Sequence, residues 1–278
     1  MRIKKLLCLI GIIAVVLSIS LSCNNSSEGI MQFYVGTYAT SSEPGIYSCG
    51  FDPSTKEIKV LNATFQIENP SFQAISPDGK YLYSVSETAN YEETAGGGVY
   101  AYKINADYGL TLINSVSSAG AHPCHLSVHP SGKLLFGANY TGGNIISIRI
   151  NLDGSLNQNV QSIQHLGSGP VVGRQEKAHA HSANIIGDGQ YLLACDLGID
   201  KVMGYKASTG SGQLIPHEES TLSTAPGSGP RHLAMSADGR FAFVINELNS
   251  TITTCSFDGA TGSLDTLSSV STLPTNYE

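Results

Sequence analysis

The chain has 278 residues, with 15 Lys and Arg against 22 Asp and Glu, a formal net charge of −7 and no tryptophan. A net acidic surface excludes nucleic acid as the expected partner, because gripping a phosphate backbone needs a cationic face. The six cysteines form no CxxC pair, and three of the four beyond Cys23 sit in apolar runs, where Cys acts as a small hydrophobe, so no disulfide framework is expected.

Residues 1–22 open on the basic Arg2, Lys4 and Lys5, run through an apolar stretch from Leu6 to Leu21 and close on small residues before Cys23. That is the plan of an export signal rather than of a folded element. Cys23 is also similar to the lipid-attachment site of bacterial lipoproteins, in which a diacylglycerol is added to the Cys thiol, although Ser20 stands where such sites usually carry Leu. Residues 23–30, beginning CNNSSEG, read as a flexible tether. The chain is therefore expected in the cell envelope, exported and touching a membrane only through a lipid at Cys23. Without residues 1–22 it carries 12 Lys and Arg against 22 Asp and Glu, a formal net charge of −10.

From residue 31 the sequence repeats. SPDGKYLYSVSE, HPSGKLLFGANY, IGDGQYLLACDL and SADGRFAFVINE align on Gly79, Gly132, Gly189 and Gly239, which are 53, 57 and 50 residues apart. A period near 50 residues marks a solenoid or a propeller. Each unit continues into a second pair of alternating segments, as in NIISIRINLDGSLNQNVQSI, so it holds four short strands, and no capped amphipathic helical run interrupts residues 31–278. The expected fold is all-β, a β-propeller of four-stranded antiparallel blades. The start, residues 31–67, matches a unit without its first strand, and four full units follow. The domain spanning residues 31–278 is thus expected to hold about five blades and to be incomplete at its C-terminus, with an exposed blade face.

In such a blade the first hairpin turns at its Gly, so the residues entering the first strand lie beside those leaving the second, on one face of the disc near the axis. Those ends hold Ser86 and Glu87; His122, His125, Asn139 and Tyr140; His179, His181 and Asp196; and Arg231, His232, Asn246 and Glu247. The turn aspartates Asp78, Asp188 and Asp238 read as turn chemistry. His125 and His232 hold equivalent places, occupied by Phe72 in the earlier unit, and fit a hydrogen bond to a neighbouring blade as well as a substrate contact. His181, Arg231 and Glu247 combine a base, an anion holder and a second acid-base group at one channel mouth. Arg174, in the Gly-rich stretch GSGPVVGRQEKAHAHS, fits a loop that covers the site and holds an anionic group. His179 and His181 share the alternation of a strand face, but no carboxylate and Asn set of defined spacing accompanies them, and no metal is assigned.

The segments VGTYATSSEPGIY, HPCHLSVHPSGKLLFGANYTGG, KAHAHSANI, CDLGIDKV and GPRHLAMSADGRFAFVINELNSTI resemble the 6-phosphogluconolactonase family of seven-bladed propellers, which includes the fungal carboxymuconate-lactonizing enzymes. The resemblance implies a lactone-handling hydrolase with a small-molecule lactone as partner and no cofactor or metal. It places His181, Arg231 and Glu247 in the active site, where a further Arg of a later blade has no counterpart. On this reading Glu247 or His181 is the general base and Arg231 holds the oxyanion, while Arg174, His122, His125, His179, His232 and Asn246 aid substrate binding. A leader argues for a non-phosphorylated sugar lactone over a cytoplasmic 6-phosphogluconolactone. Two other functions fit less well: an exported propeller that binds a glycan or protein without catalysis, and a lactone-forming cycloisomerase, which would need more cations at the rim.

Overall fold

The structure, a computed structural model, describes residues 29–92 and 94–277; the leader expected over residues 1–22 and the lipid site expected at Cys23 lie outside the described residues. The described chain forms five successive antiparallel blades. Blade 1 has three strands, Met31–Gly36, Ile46–Asp52 and Glu57–Thr64. Blade 2 is built from Gln73–Ile75, Tyr81–Ser86, Gly98–Ile104 and Leu110–Ser117, and blade 3 from Pro123–Val128, Leu134–Asn139, Asn144–Ile150 and Leu156–Gln164. Blade 4 comprises Ala180–Ile186, Tyr191–Asp196, Lys201–Ser208 and Gln213–Pro216, with Leu222–Ser223 added beside its third strand. Blade 5 comprises Pro230–Met235, Phe241–Asn246, Thr251–Phe257 and Leu264–Ser271. The one-partial, four-full arrangement read from the repeats is the one observed.

The turn sequence explains the inner hairpins. In blade 2, Ser76 Oγ donates to Asp78 Oδ1 at 2.6 Å and accepts from Tyr81 N at 3.0 Å, while Gly79 takes φ +71°. Blade 5 repeats this with Ser236, Asp238 and Phe241 at 2.6 and 3.0 Å and Gly239 at φ +71°. The Asp side chain closes the turn and the Gly supplies a left-handed backbone without a Cβ penalty. In blade 3 His129 takes the place of that Ser, accepting from Ser131 N at 3.0 Å through Nδ1 and meeting the Gly189 carbonyl of blade 4 at 3.0 Å through Nε2.

Second strands such as LLFGAN and YLLACD are buried along their whole length because a blade covers each face. Separate apolar cores fill the spaces between successive blades, among them Tyr83, Leu126, Leu135 and Ile146 between blades 2 and 3, and Leu193, Cys195, Val244 and Cys255 between blades 4 and 5. Side-chain amides lock the outer strands together. Asn114 of blade 2 both donates to and accepts from Leu156 of blade 3, at 2.8 and 2.9 Å, and Gln161 of blade 3 does the same with Leu214 of blade 4, at 3.0 and 2.8 Å. On the last blade, Phe243 and Ile245 are 41% and 44% exposed.

Candidate active site

Two features of each inner hairpin build the site. The first is a bulge in the innermost strand. Pro123 pairs with Asn139 and His125 with Ala138, which leaves Cys124 without a partner. The same skip leaves out His181 between Ala180 and Ser182, and Arg231 between Pro230 and His232. A bulge re-aims the extra side chain, and Pro123 and Pro230 are tolerated because they open an edge strand. The second feature is the residue just past the second strand: Glu87, Tyr140 and Glu247. Both sets line one cleft of about 420 Å³ near the axis. Tyr38, Ser71 and Phe72 close it from blades 1 and 2, and Arg174 and His232 from the other side. A cleft of about 400 Å³ at the far turns, between Pro77, Asp78, Gly132 and Lys133, gathers no comparable set.

Charge concentrates on one wall. Glu247 bridges two cations, with Arg231 Nε 2.8 Å from Oε2 and Arg174 Nη2 bonded to Oε1. Burial alone would raise the Glu247 carboxyl, but the Arg174 hydrogen bond and charge, with Arg231 and His181, outweigh it and hold the group below the ordinary glutamate range. The same hydrogen bond raises Arg174.

The imidazoles form a cluster beside this ion network. Ring centroids of His181 and His232 lie 5.1 Å apart and those of His232 and His125 5.5 Å apart. Burial, then Arg231 and His232, push His181 down to about 4. Burial, then His232 and His181, push His125 down to about 3, and burial with Arg231 also lowers His232. All three rings are neutral at neutral pH. The Cys124 thiol is pushed up to about 12, by burial first and then by the Glu87 carboxylate, and donates to the His181 carbonyl at 3.3 Å, so it is a protonated wall residue rather than a nucleophile. Among the described residues no group of three or more His, Cys, Asp or Glu side chains is placed to hold a metal ion.

Blade 2 contributes a second carboxylate to the cleft. Glu87 Oε2 accepts from Tyr38 Oη at 3.0 Å and from Ser71 Oγ.

A family model described as a lactonase, seven-bladed β-propeller, matches residues 32–278. The chain belongs to this lactonase family. It is 34% identical to the 6-phosphogluconolactonase of Bacillus subtilis over 88% of this chain and 67% of that protein. It is also 34% identical to the 6-phosphogluconolactonase of Formosa agariphila, over 78% of this chain and 61% of that protein. The structure of the periplasmic gluconolactonase of Pseudomonas aeruginosa superposes with a TM-score of 0.82 at 32% identity, covering 90% of this chain and 70% of that one. The chain spans about two thirds of the length of the curated relatives it matches.

Within this member of the lactonase family His181, Arg231, Glu247, Arg174 and His232 come together at the cleft. Four other residues expected to aid binding do not line it. His125 is sandwiched between Phe72 and His232, at 4.5 and 5.5 Å, and accepts from Ala183 N of blade 4 at 3.3 Å, the inter-blade contact that is one of the two roles its repetition fits. His179 stacks behind Tyr140 at 4.7 Å, with Nδ1 3.0 Å from the Tyr140 carbonyl. His122, at φ +55°, ties blades 2 and 3 through its backbone, donating to Thr88 O at 2.8 Å and accepting from Tyr140 N at 2.9 Å. Asn246 is buried, with Nδ2 donating to Thr251 and Thr253 Oγ1, each at 2.9 Å.

One structural support has no counterpart among the expected residues. Asp200, buried at φ +55°, accepts from Gln175 Nε2 at 2.8 Å, Gly227 N at 2.7 Å and Gly229 N at 2.8 Å. Gln175 adjoins Arg174, and the Gly229 carbonyl accepts from Glu247 N at 2.8 Å. A single carboxylate therefore anchors both segments that present the Arg174, Arg231 and Glu247 network. Nothing in CDLGID marks its second Asp, rather than its first, for that task.

Proposed function

We propose that this lactonase-family chain opens a sugar lactone to its acid by hydrolysis, in the cleft where Glu247 gathers Arg174 and Arg231 beside a neutral His181. The observation that carries the reading is this wall: two guanidinium groups fixed by one carboxylate are preorganised for charge that develops on a carbonyl oxygen when water adds to it. Arg231 stabilises the oxyanion, Arg174 binds the lactone from the covering loop, and Glu247 aligns both. His181 and His232, uncharged at neutral pH, offer a ring nitrogen to sugar hydroxyls. A cleft of about 420 Å³ fits a six-membered lactone with its substituents.

The leader-like residues and the likeness to a periplasmic gluconolactonase support an exported enzyme acting on a lactone without phosphate. The test is acid release by the purified protein from glucono-δ-lactone and from its 6-phosphate, beside Arg231→Gln and Glu247→Gln. We expect the unphosphorylated lactone to turn over faster, and each variant to lose roughly 10²-fold or more in rate. Wild-type rates in both variants would sink the reading. Faster turnover of the 6-phosphate would overturn the substrate class alone.

A further inference from the structure

Glu87 and Glu247 occupy the same place in blades 2 and 5, the residue just past the second strand, and both line the cleft. Their surroundings differ. Each oxygen of Glu247 is held by a guanidinium, so protonating it would cost two ion pairs. Glu87 is held only by hydroxyls, through Oε2, and among the described residues it meets no cation within ion-pair reach. His181 would become a second cation beside Arg231 if it took a proton, whereas a carboxylate that does so becomes neutral.

We propose that Glu87 is the catalytic base, taking a proton from the water that attacks the lactone carbonyl from the blade 2 side of the cleft, while Arg231 enters from blade 5. The water oxygen bonds to the carbonyl carbon, its proton passes to Glu87, and the charge on the former carbonyl oxygen rests against the guanidinium groups. Collapse of this adduct breaks the bond from that carbon to the ring oxygen, and Glu87 returns the proton to the departing oxygen. One water and one lactone give one hydroxy acid, and the carboxylate is regenerated. Ser71 and Tyr38, both donating to Oε2, hold the base in place.

The inference rests on the lactone-opening reading, and the two are tested apart. Glu87→Gln keeps the shape and an acceptor for the two hydroxyls. With glucono-δ-lactone we expect kcat to fall about 10²- to 10⁴-fold while KM stays within about threefold, and the acid limb of the kcat profile to disappear. A raised KM with kcat unchanged would make Glu87 a binding residue, and unchanged kinetics would remove it from the mechanism. If Glu87→Gln fails to fold, Tyr38→Phe and Ser71→Ala serve instead. Each removes a hydroxyl that fixes the carboxylate, so kcat should fall about tenfold in each with KM little changed, and a wild-type kcat in both overturns the assignment. Should Glu247→Gln and Arg231→Gln also hydrolyse at the wild-type rate, the lactone-opening reading fails, whatever Glu87 does.

Discussion

Two rows of residues, one position apart in the repeat, behave as different materials. Ser86, Asn139, Asp196 and Asn246 end the second strands; all are buried, and their polar atoms serve the fold. Ser86 Oγ donates to Glu68 O at 2.8 Å, and Asn139 Nδ2 to Ser118 O at 2.8 Å. One residue further on, Glu87, Tyr140 and Glu247 line the cleft. Side chains on a strand alternate between faces, so one step in sequence carries a side chain out of the packed blade and into the axial space. Blade 4 shows the limit of the rule. Leu197 begins a short 3₁₀ turn there and is buried, and that blade reaches the cleft through the bulged His181. Identical chemistry a residue apart, as in Asp196 and Glu247, therefore serves architecture in one row and the site in the other.

The largest expected effect lies in the buried row. Asp196 Oδ2 meets His165 Nδ1 at 2.7 Å, while Oδ1 accepts from His179 N at 2.8 Å and Gly198 N at 3.0 Å. His165 Nε2 in turn lies 2.9 Å from Tyr205 Oη. Asp196→Ala orphans this network, a loss of about 3–5 kcal/mol by analogy with other broken buried pairs, or about 10 °C in thermal midpoint. A midpoint within about 2 °C of wild type would show that the row is not structural.

A smaller effect separates the histidines by pH. Free histidine titrates near 6.5, whereas His125 and His181 are pushed down to about 3 and about 4. Between those values and 6.5 the unfolded chain binds protons that the folded chain does not, so stability is full above about pH 6.5 and declines as the pH falls toward 4. Phe72 holds the place equivalent to His125 in blade 2 and packs against it, so His125→Phe puts a native neighbour's residue at this site. Its thermal midpoint should fall less steeply than wild type between pH 7 and pH 4.5. Parallel curves would show that His125 titrates normally.

The blades are legible in sequence because turn glycines, turn aspartates and alternating runs are local signals that recur at a near-constant period. Arg231 and Glu247 are legible as neighbours because a tight hairpin returns one to the other. Arg174 is legible as a residue of the loop over the site, but its bond to Glu247 is not, because it lies 73 residues away on a loop without periodicity. The bulges are equally silent, since nothing in PCH, AHS or PRH marks a skipped register, and the sequence alone does not place Cys124 at the cleft. Glu87 is visible at the rim, but its hydroxyl partner Tyr38 comes from the partial first blade, outside the aligned hairpins.

The smallest effect gives the sharpest contrast between the rows, because it compares neighbours. Asn246 donates to two threonines but leaves its buried Oδ1 without a partner. Asn246→Ala gives up both bonds and also removes the orphaned oxygen, so the net loss is only about 1 kcal/mol, or about 3 °C in midpoint. Its kcat and KM should match wild type, since the side chain faces the third strand of its own blade rather than the cleft. Glu247→Gln should do the reverse, lowering turnover with little change in midpoint, because Glu247 is half-exposed and its ion pairs are screened by solvent. If Asn246→Ala instead raised KM several-fold at an unchanged midpoint, the two positions would belong to one surface, and alternation could not be what divides fold from chemistry in this repeat.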